Sequence, residues 1–230
     1  MKRYLRWALV AALMTASTAA AQQPGPIVIA VLPFEDRGSY GQDQEVFRAL
    51  EFGIPATFAA ELSRHPRVRV ADRGRTRQAV GAQNLGPNAR MDAATAAKVG
   101  SEAGAQYAIT GNFADFYGKF RVDARVVDVG SGQILKVVSN SEPNLQDRAD
   151  LSRIIQSLAA KALAAVNLTP AGNAPDAPAG TVPTDALTQY SLGLLYESEG
   201  NKTKAGEHYQ RALTIFPGYS AAREGLQRVR

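Results

Sequence analysis

Residues 104–138 constrain the fold more than any other stretch of this chain, because apolar and polar side chains alternate there through successive runs broken only by short glycine-bearing turns. Tyr107, Ile109, Gly111 and Phe113 fall on one side of the first run, and Ala108, Thr110 and Asn112 on the other. Phe120, Val122, Ala124 and Val126 then oppose Arg121, Asp123 and Arg125, until Val127 and Val129 make the end apolar on both sides. Tyr117-Gly118-Lys119 and Gly130-Ser131-Gly132-Gln133 supply the two turns, and residues 134–138 return. The pattern predicts a three-stranded antiparallel meander. Such a sheet must bury its apolar face on something.

Upstream, residues 27–34 form a continuous apolar run, which suits a strand covered on both faces, with Pro33 expected to end its ladder. A polar, glycine-rich loop at 35–44 leads to a helix over 46–65, where Ile54, Phe58 and Leu62 recur at i, i+4 and Pro55 marks a kink or a first turn. Residues 67–70 give a second strand, and strand, helix, strand predicts a right-handed parallel crossover. Asp72 and Asp92 are placed to cap helices over 73–82 and 93–103. A helix over 145–166 carries an apolar stripe through Leu151, Ile154, Ile155, Leu158, Ala162 and Val166. Asp147, Arg148, Asp150, Arg153 and Lys161 read as its solvated face. The expected class is α/β (α+β): a mixed sheet with a parallel βαβ start and an antiparallel three-strand meander, helices packed on it, and a helical hairpin at the carboxyl end.

The first residues read differently. Lys2, Arg3 and Arg6 precede an apolar run from Trp7 to Met14 and then Ala19-Ala20-Ala21, the order of a Sec-type signal peptide, so residues 1–21 are expected to be removed and the protein exported to the periplasm. Three of the 26 lysines and arginines lie in that segment, and the remainder nearly balance the 21 acids, so charge gives no reason to expect nucleic acid as a partner. The chain has no cysteine, which excludes a disulfide framework, a thiolate metal site, a thiol nucleophile and lipid attachment through cysteine. No transmembrane segment is expected in the mature chain. The domain organisation is then leader 1–21, α/β domain 22–166, a proline-, alanine- and glycine-rich linker 167–184 with Pro170, Pro175, Pro178 and Pro183, and a helical unit 185–230.

The segments IAVLPFED, AAELSRHPRVRVADRGRTRQAV, AATAAKVGSEAGAQYAITGNF and FRVDARVVDVGSGQIL, in that order, resemble the curli secretion-channel (CsgG) family and the related TolB amino-terminal-like domains over residues 27–166. Channel proteins of that family are lipoproteins with long membrane-crossing hairpins. Here the lipidation cysteine is missing and only Tyr117-Gly118-Lys119 joins the first two meander strands, so the resemblance implies the periplasmic platform without the pore. Residues 186–217 resemble one tetratricopeptide repeat, with Leu192-Gly193, Tyr196, Ala205, Tyr209, Ala212 and Pro217 at the family's spacing and Gln189 where tryptophan is common. Residues 219–229 would be a solvating cap helix. One repeat cannot bury both faces, so it is expected to dock on its own α/β domain, on a copy of itself or on another protein.

Little in the chain reads as catalytic chemistry. His65 and His208 have no metal spacing, Gly130-Ser131-Gly132 lacks the surroundings of a nucleophile elbow, and no phosphate-binding glycine motif occurs. Glu35 and Asp36 are adjacent in a strand and so point apart. No catalytic residue, metal or cofactor is expected. The favoured reading is a non-enzymatic periplasmic scaffold that binds other envelope proteins through the repeat, with Leu187, Tyr190, Leu194, Glu197 and Ser198 as contacts, and with homo-oligomerisation through the platform as a compatible addition. The alternative is a small-ligand (anion) sensor or enzyme using the crevice at the carboxyl ends of the parallel strands, with Arg37, Tyr40, Arg73 and Arg75 around it.

Overall fold

The computed structural model describes residues 25–41, 43–84, 91–140, 144–170 and 181–230. The expected leader, 1–21, and the middle of the expected linker, 171–180, lie outside the described residues. In chain order the elements are β1 (Ile27–Asp36), α1 (Gln44–Ser63), β2 (Val68–Val70), α2 (Arg73–Ala82), α3 (Ala93–Glu102), β3 (Tyr107–Phe116), β4 (Lys119–Asp128), β5 (Ile134–Ser139), β6 (Gln146–Asp147), α4 (Leu151–Ala165), α5 (Thr184–Ser198), α6 (Lys202–Ile215) and α7 (Ser220–Val229). The sheet runs β2-β1-β3-β4-β5, with β6 also on β4; β1 is parallel to β2 and β3, and the meander is antiparallel. This is the mixed α/β sheet expected from the sequence.

Each face of the sheet is covered by a different helix pair. Ile29, Ile109, Phe113, Phe120, Val122 and Val126 meet α1 and α4 through Phe47, Ile54, Phe58, Ile154 and Leu158. Val28, Ala30, Leu32, Ala108 and Val127 meet α2 and α3 on the other side through Ala79, Ala96 and Val99. Two covered faces explain why β1 is apolar from Ile27 to Phe34. Asp72 and Asp92 cap as expected, accepting from the backbone N–H of Arg75 at 2.8 Å and of Thr95 at 2.7 Å. Phe116 pairs with Lys119, so the hairpin loop is only Tyr117 and Gly118, both at positive φ (55° and 87°). That is type I′ geometry, matched to the twist of the strands.

Three expectations need correction. Pro33 does not end β1: the register to β3 shifts between Val31 and Phe34, and pairing resumes through Asp36. A bulge absorbs the missing N–H, which a strand end is not needed to explain. The helix expected over 145–166 begins only at Leu151, because Gln146 and Asp147 pair as β6 with Phe120 and Lys119. Arg148 is therefore not on a solvated helix face. Its guanidinium forms an ion pair with the fully buried Asp115, lies 3.1 Å from Asp43 and sits over the Phe47 ring at 5.4 Å. Its backbone N–H bonds Gly118, and its carbonyl accepts from Thr184 at the start of α5.

Candidate binding surfaces

The helical unit is built around Tyr209. Its fully buried ring packs between α5 and α7, where a Cβ on Gly225 would come 2.6 Å from Tyr209 Cζ and one on Gly193 would also overlap the ring. Ala205, Ala212 and Ala222 complete this small-residue bed, and Tyr190 packs on Tyr209 and Tyr219 with ring centroids 5.9 and 5.0 Å away. The Tyr209 hydroxyl donates to Glu197, which also accepts from Arg228 at 2.9 and 3.0 Å. Burial alone would raise the Glu197 carboxyl, but the bonds from Arg228 and Tyr209 outweigh it and hold its pKa below the ordinary value.

This unit docks on α1 of its own chain. The backbones meet at Gly53, where an added Cβ would lie 2.6 Å from Ser191 Cβ, so only glycine permits the approach. Ala49 and Phe52 pack on Leu192 and Leu195, while Phe52 and Ala56 pack on the tyrosine cluster. Leu187 joins the main core beneath the sheet. At the rim Arg48 pairs with Glu199 at 2.8 Å and the Tyr196 hydroxyl donates to Glu45.

The five residues expected to grip a partner therefore separate into two groups. Leu187, Tyr190 and Leu194 are buried and have their partners within the chain. Glu197 is committed to Arg228 and Tyr209, and Ser198 donates to the Leu195 carbonyl at 2.6 Å. Sequence spacing identified the stripe; which surface covers it is a tertiary matter.

A cavity of about 390 Å³ opens at the carboxyl ends of β1 and β2, between α1 and α2, with Ser198 of α5 completing the wall. Arg73 lines it, but Arg37, Tyr40 and Arg75 do not. Arg37 instead lies 3.4 Å from Glu35, Tyr40 stacks on Tyr117, and the Arg75 N–H serves the Asp72 cap. Among the lining residues that the sequence did not signal for this crevice are two charged ones, Arg77, one turn beyond Arg73 on α2, and Glu51 of α1. Burial is the main cause of a raised Glu51 pKa; its Oε1 accepts the Asp36 N–H at 3.2 Å, and the neighbouring Asp36 charge adds to the rise.

Two apolar features face solvent. At the hairpin tip Tyr40, Phe116 and Tyr117 are all exposed, with Tyr40 and Tyr117 stacked 5.8 Å apart. Along β5, Ile134, Leu135 and Val137 are 43%, 44% and 54% exposed. Among the described residues β5 pairs with β4 alone, so its outer edge carries no strand.

Among the described residues no helix is long and apolar enough to cross a membrane. No protein-family model matches the chain, and no curated protein matches it in sequence. Solved structures do show partial likenesses. Escherichia coli LpoB is similar at 14% identity and a TM-score of 0.40, over 50% of this chain, which spans only 55% of LpoB. TolB from Acinetobacter baumannii is similar at 20% identity and a TM-score of 0.33, over 62% of this chain and 27% of TolB. The PelC dodecamer from Paraburkholderia phytofirmans is similar at 18% identity and a TM-score of 0.33, over 63% of this chain and 89% of PelC. At these TM-scores the likeness is one of partial arrangement and says nothing of activity.

Proposed function

We propose that this chain is a non-enzymatic exported scaffold that binds other proteins of the cell envelope. The leader-like first residues support export. The observation that carries protein binding is the β5 edge, where Ile134, Leu135 and Val137 are exposed and no second strand pairs among the described residues. Edge strands normally carry charges, bulges or a cover that prevents pairing with other chains; β5 has one charge, Lys136, and one register irregularity at Leu135, and still leaves Ile134, Leu135 and Val137 facing solvent. An edge of this composition suits an extended segment of another protein, added as a further strand with its side chains against Leu135 and Val137. The helical unit then has a supporting role: it covers α1 with the stripe that an isolated repeat would present to a partner.

The test is a photo-crosslinking residue at Val137, activated in intact cells, with the same residue at exposed Arg223 on α7 as the control position. The expected result is a crosslink from Val137 to a different envelope protein that disappears in the Leu135→Lys background. Crosslinks only to copies of this chain, or equal capture from Arg223, would contradict the scaffold reading.

A further inference from the structure

The cavity between α1 and α2 has the attributes of a ligand site that the scaffold reading does not use. Its volume of about 390 Å³ falls in the range of small-molecule sites, and its walls are mainly apolar, drawn from Leu32, Phe52, Ala59 and Val80 among others. Its charges are unequally satisfied. Glu35 has Arg37 at 3.4 Å and accepts the Met91 N–H at 2.9 Å. Arg73 and Arg77, one turn apart on the same side of α2, have no carboxylate within ion-pair distance among the described residues; the nearby Glu197 is bonded to Arg228 instead. Glu51 is the remaining carboxylate, and its Oε1 already accepts the Asp36 N–H, so two guanidinium groups without an ion-pair partner face one carboxylate and the unpaired charge of the lining is net positive.

We propose that this cavity binds a small organic anion with an apolar body, whose carboxylate is held by the guanidinium groups of Arg73 and Arg77 while its carbon skeleton lies against α1 and the end of β1. Two guanidinium forks on one helix face offer a carboxylate several charge-assisted hydrogen bonds, and the apolar walls offer a neutral head group nothing comparable. The inference is independent of the scaffold reading. It gives that fold an input, since Ser198 at the end of α5 lines the cavity and occupancy would tighten the contact between the platform and the helical unit.

Titration calorimetry and thermal unfolding of the full chain with octanoate, and with the uncharged 1-octanol as comparison, test it. Octanoate is expected to bind one per chain and raise the melting temperature, with octanol weaker by about tenfold. The double variant Arg73→Ala, Arg77→Ala changes only exposed positions; it should unfold as the parent does without ligand and lose octanoate binding by about tenfold or more. Ala59→Phe, which fills the cavity, should abolish binding of both probes. No saturable heat at millimolar octanoate, equal binding of octanol, or undiminished binding in the double arginine variant would each overturn the proposal.

Discussion

The α/β platform and the helical unit bury their cores in different ways. The platform's is built on phenylalanines and aliphatic residues: Phe34 packs tilted on Phe58 and Phe113 stacks on Phe120, and helices close both faces of the sheet. In the helical unit Tyr190, Tyr209 and Tyr219 lie among alanines and glycines, and a phenol must reach a carboxylate at the rim. Closure differs too. The helical unit has a covered face only because α1 lies against it, whereas the platform's sheet is sandwiched by its own helices. Dependence therefore runs mainly one way, with the helical unit resting on the platform.

Breaking the platform should have the largest effect. Phe113→Ala removes a fully buried ring stacked 5.6 Å from Phe120. It is expected to cost about 3–5 kcal/mol and to lower the denaturation midpoint seen by probes in both units. Breaking the joint should be smaller and local. Gly53→Val forces a branched side chain into Ser191, and an overpacked contact of this kind costs about 1–3 kcal/mol. Hydrogen exchange should quicken in α5 and α6 while β3 and β4 keep their protection; uniform loss across the chain would refute the one-way dependence.

Within the helical unit, Tyr209→Phe keeps the ring between Gly193 and Gly225 and deletes only the bond to Glu197, which retains Arg228. About 1 kcal/mol of stability is expected to go, measured by urea unfolding. The smallest effect is that of pH. Burial, aided by the Arg211 charge, lowers the His208 pKa below 6.5, so the unfolded chain binds the proton first and stability falls as pH drops through 6.5. Glu197, held low, adds a further loss as pH falls below 4.5 toward its folded pKa. Glu51 in the platform acts in the opposite sense: its raised pKa means that its cost appears as pH rises past 4.5. His208→Gln should flatten the slope near pH 6.5 and leave the rest of the profile unchanged.

The platform was legible because period-two alternation and capping aspartates are local signals, and β3, β4, Asp72 and Asp92 fall where those signals put them. What escaped was set by distant partners. Pro33 reads as a strand end unless one knows that β3 continues alongside and a bulge can skip the missing N–H. Arg148 reads as one more charge on a helix face, yet its partner Asp115 is brought to it by the β3–β4 hairpin and by β6. The stripe of Leu187, Tyr190 and Leu194 was visible, but an apolar stripe has the same sequence whether its own chain or another protein covers it. Of the crevice residues, Arg73 was found from the rule that open sheets bind ligands at their carboxyl ends. Arg77, Glu51 and Ser198 needed the packing of three helices to bring them to the same cavity.

The docking of α5 on α1 can be tested directly because the chain contains no cysteine of its own. In a Gly53→Cys, Ser191→Cys variant a retreat of about 1 Å brings the two Cβ atoms to the ~3.8 Å typical of a disulfide. Mild oxidation should then give one internal disulfide in the monomer, visible as faster migration on a non-reducing gel and as two thiols that resist alkylation. Thiols that alkylate freely under the same oxidation, or disulfides found only between chains, would show that the helical unit does not rest on its own platform.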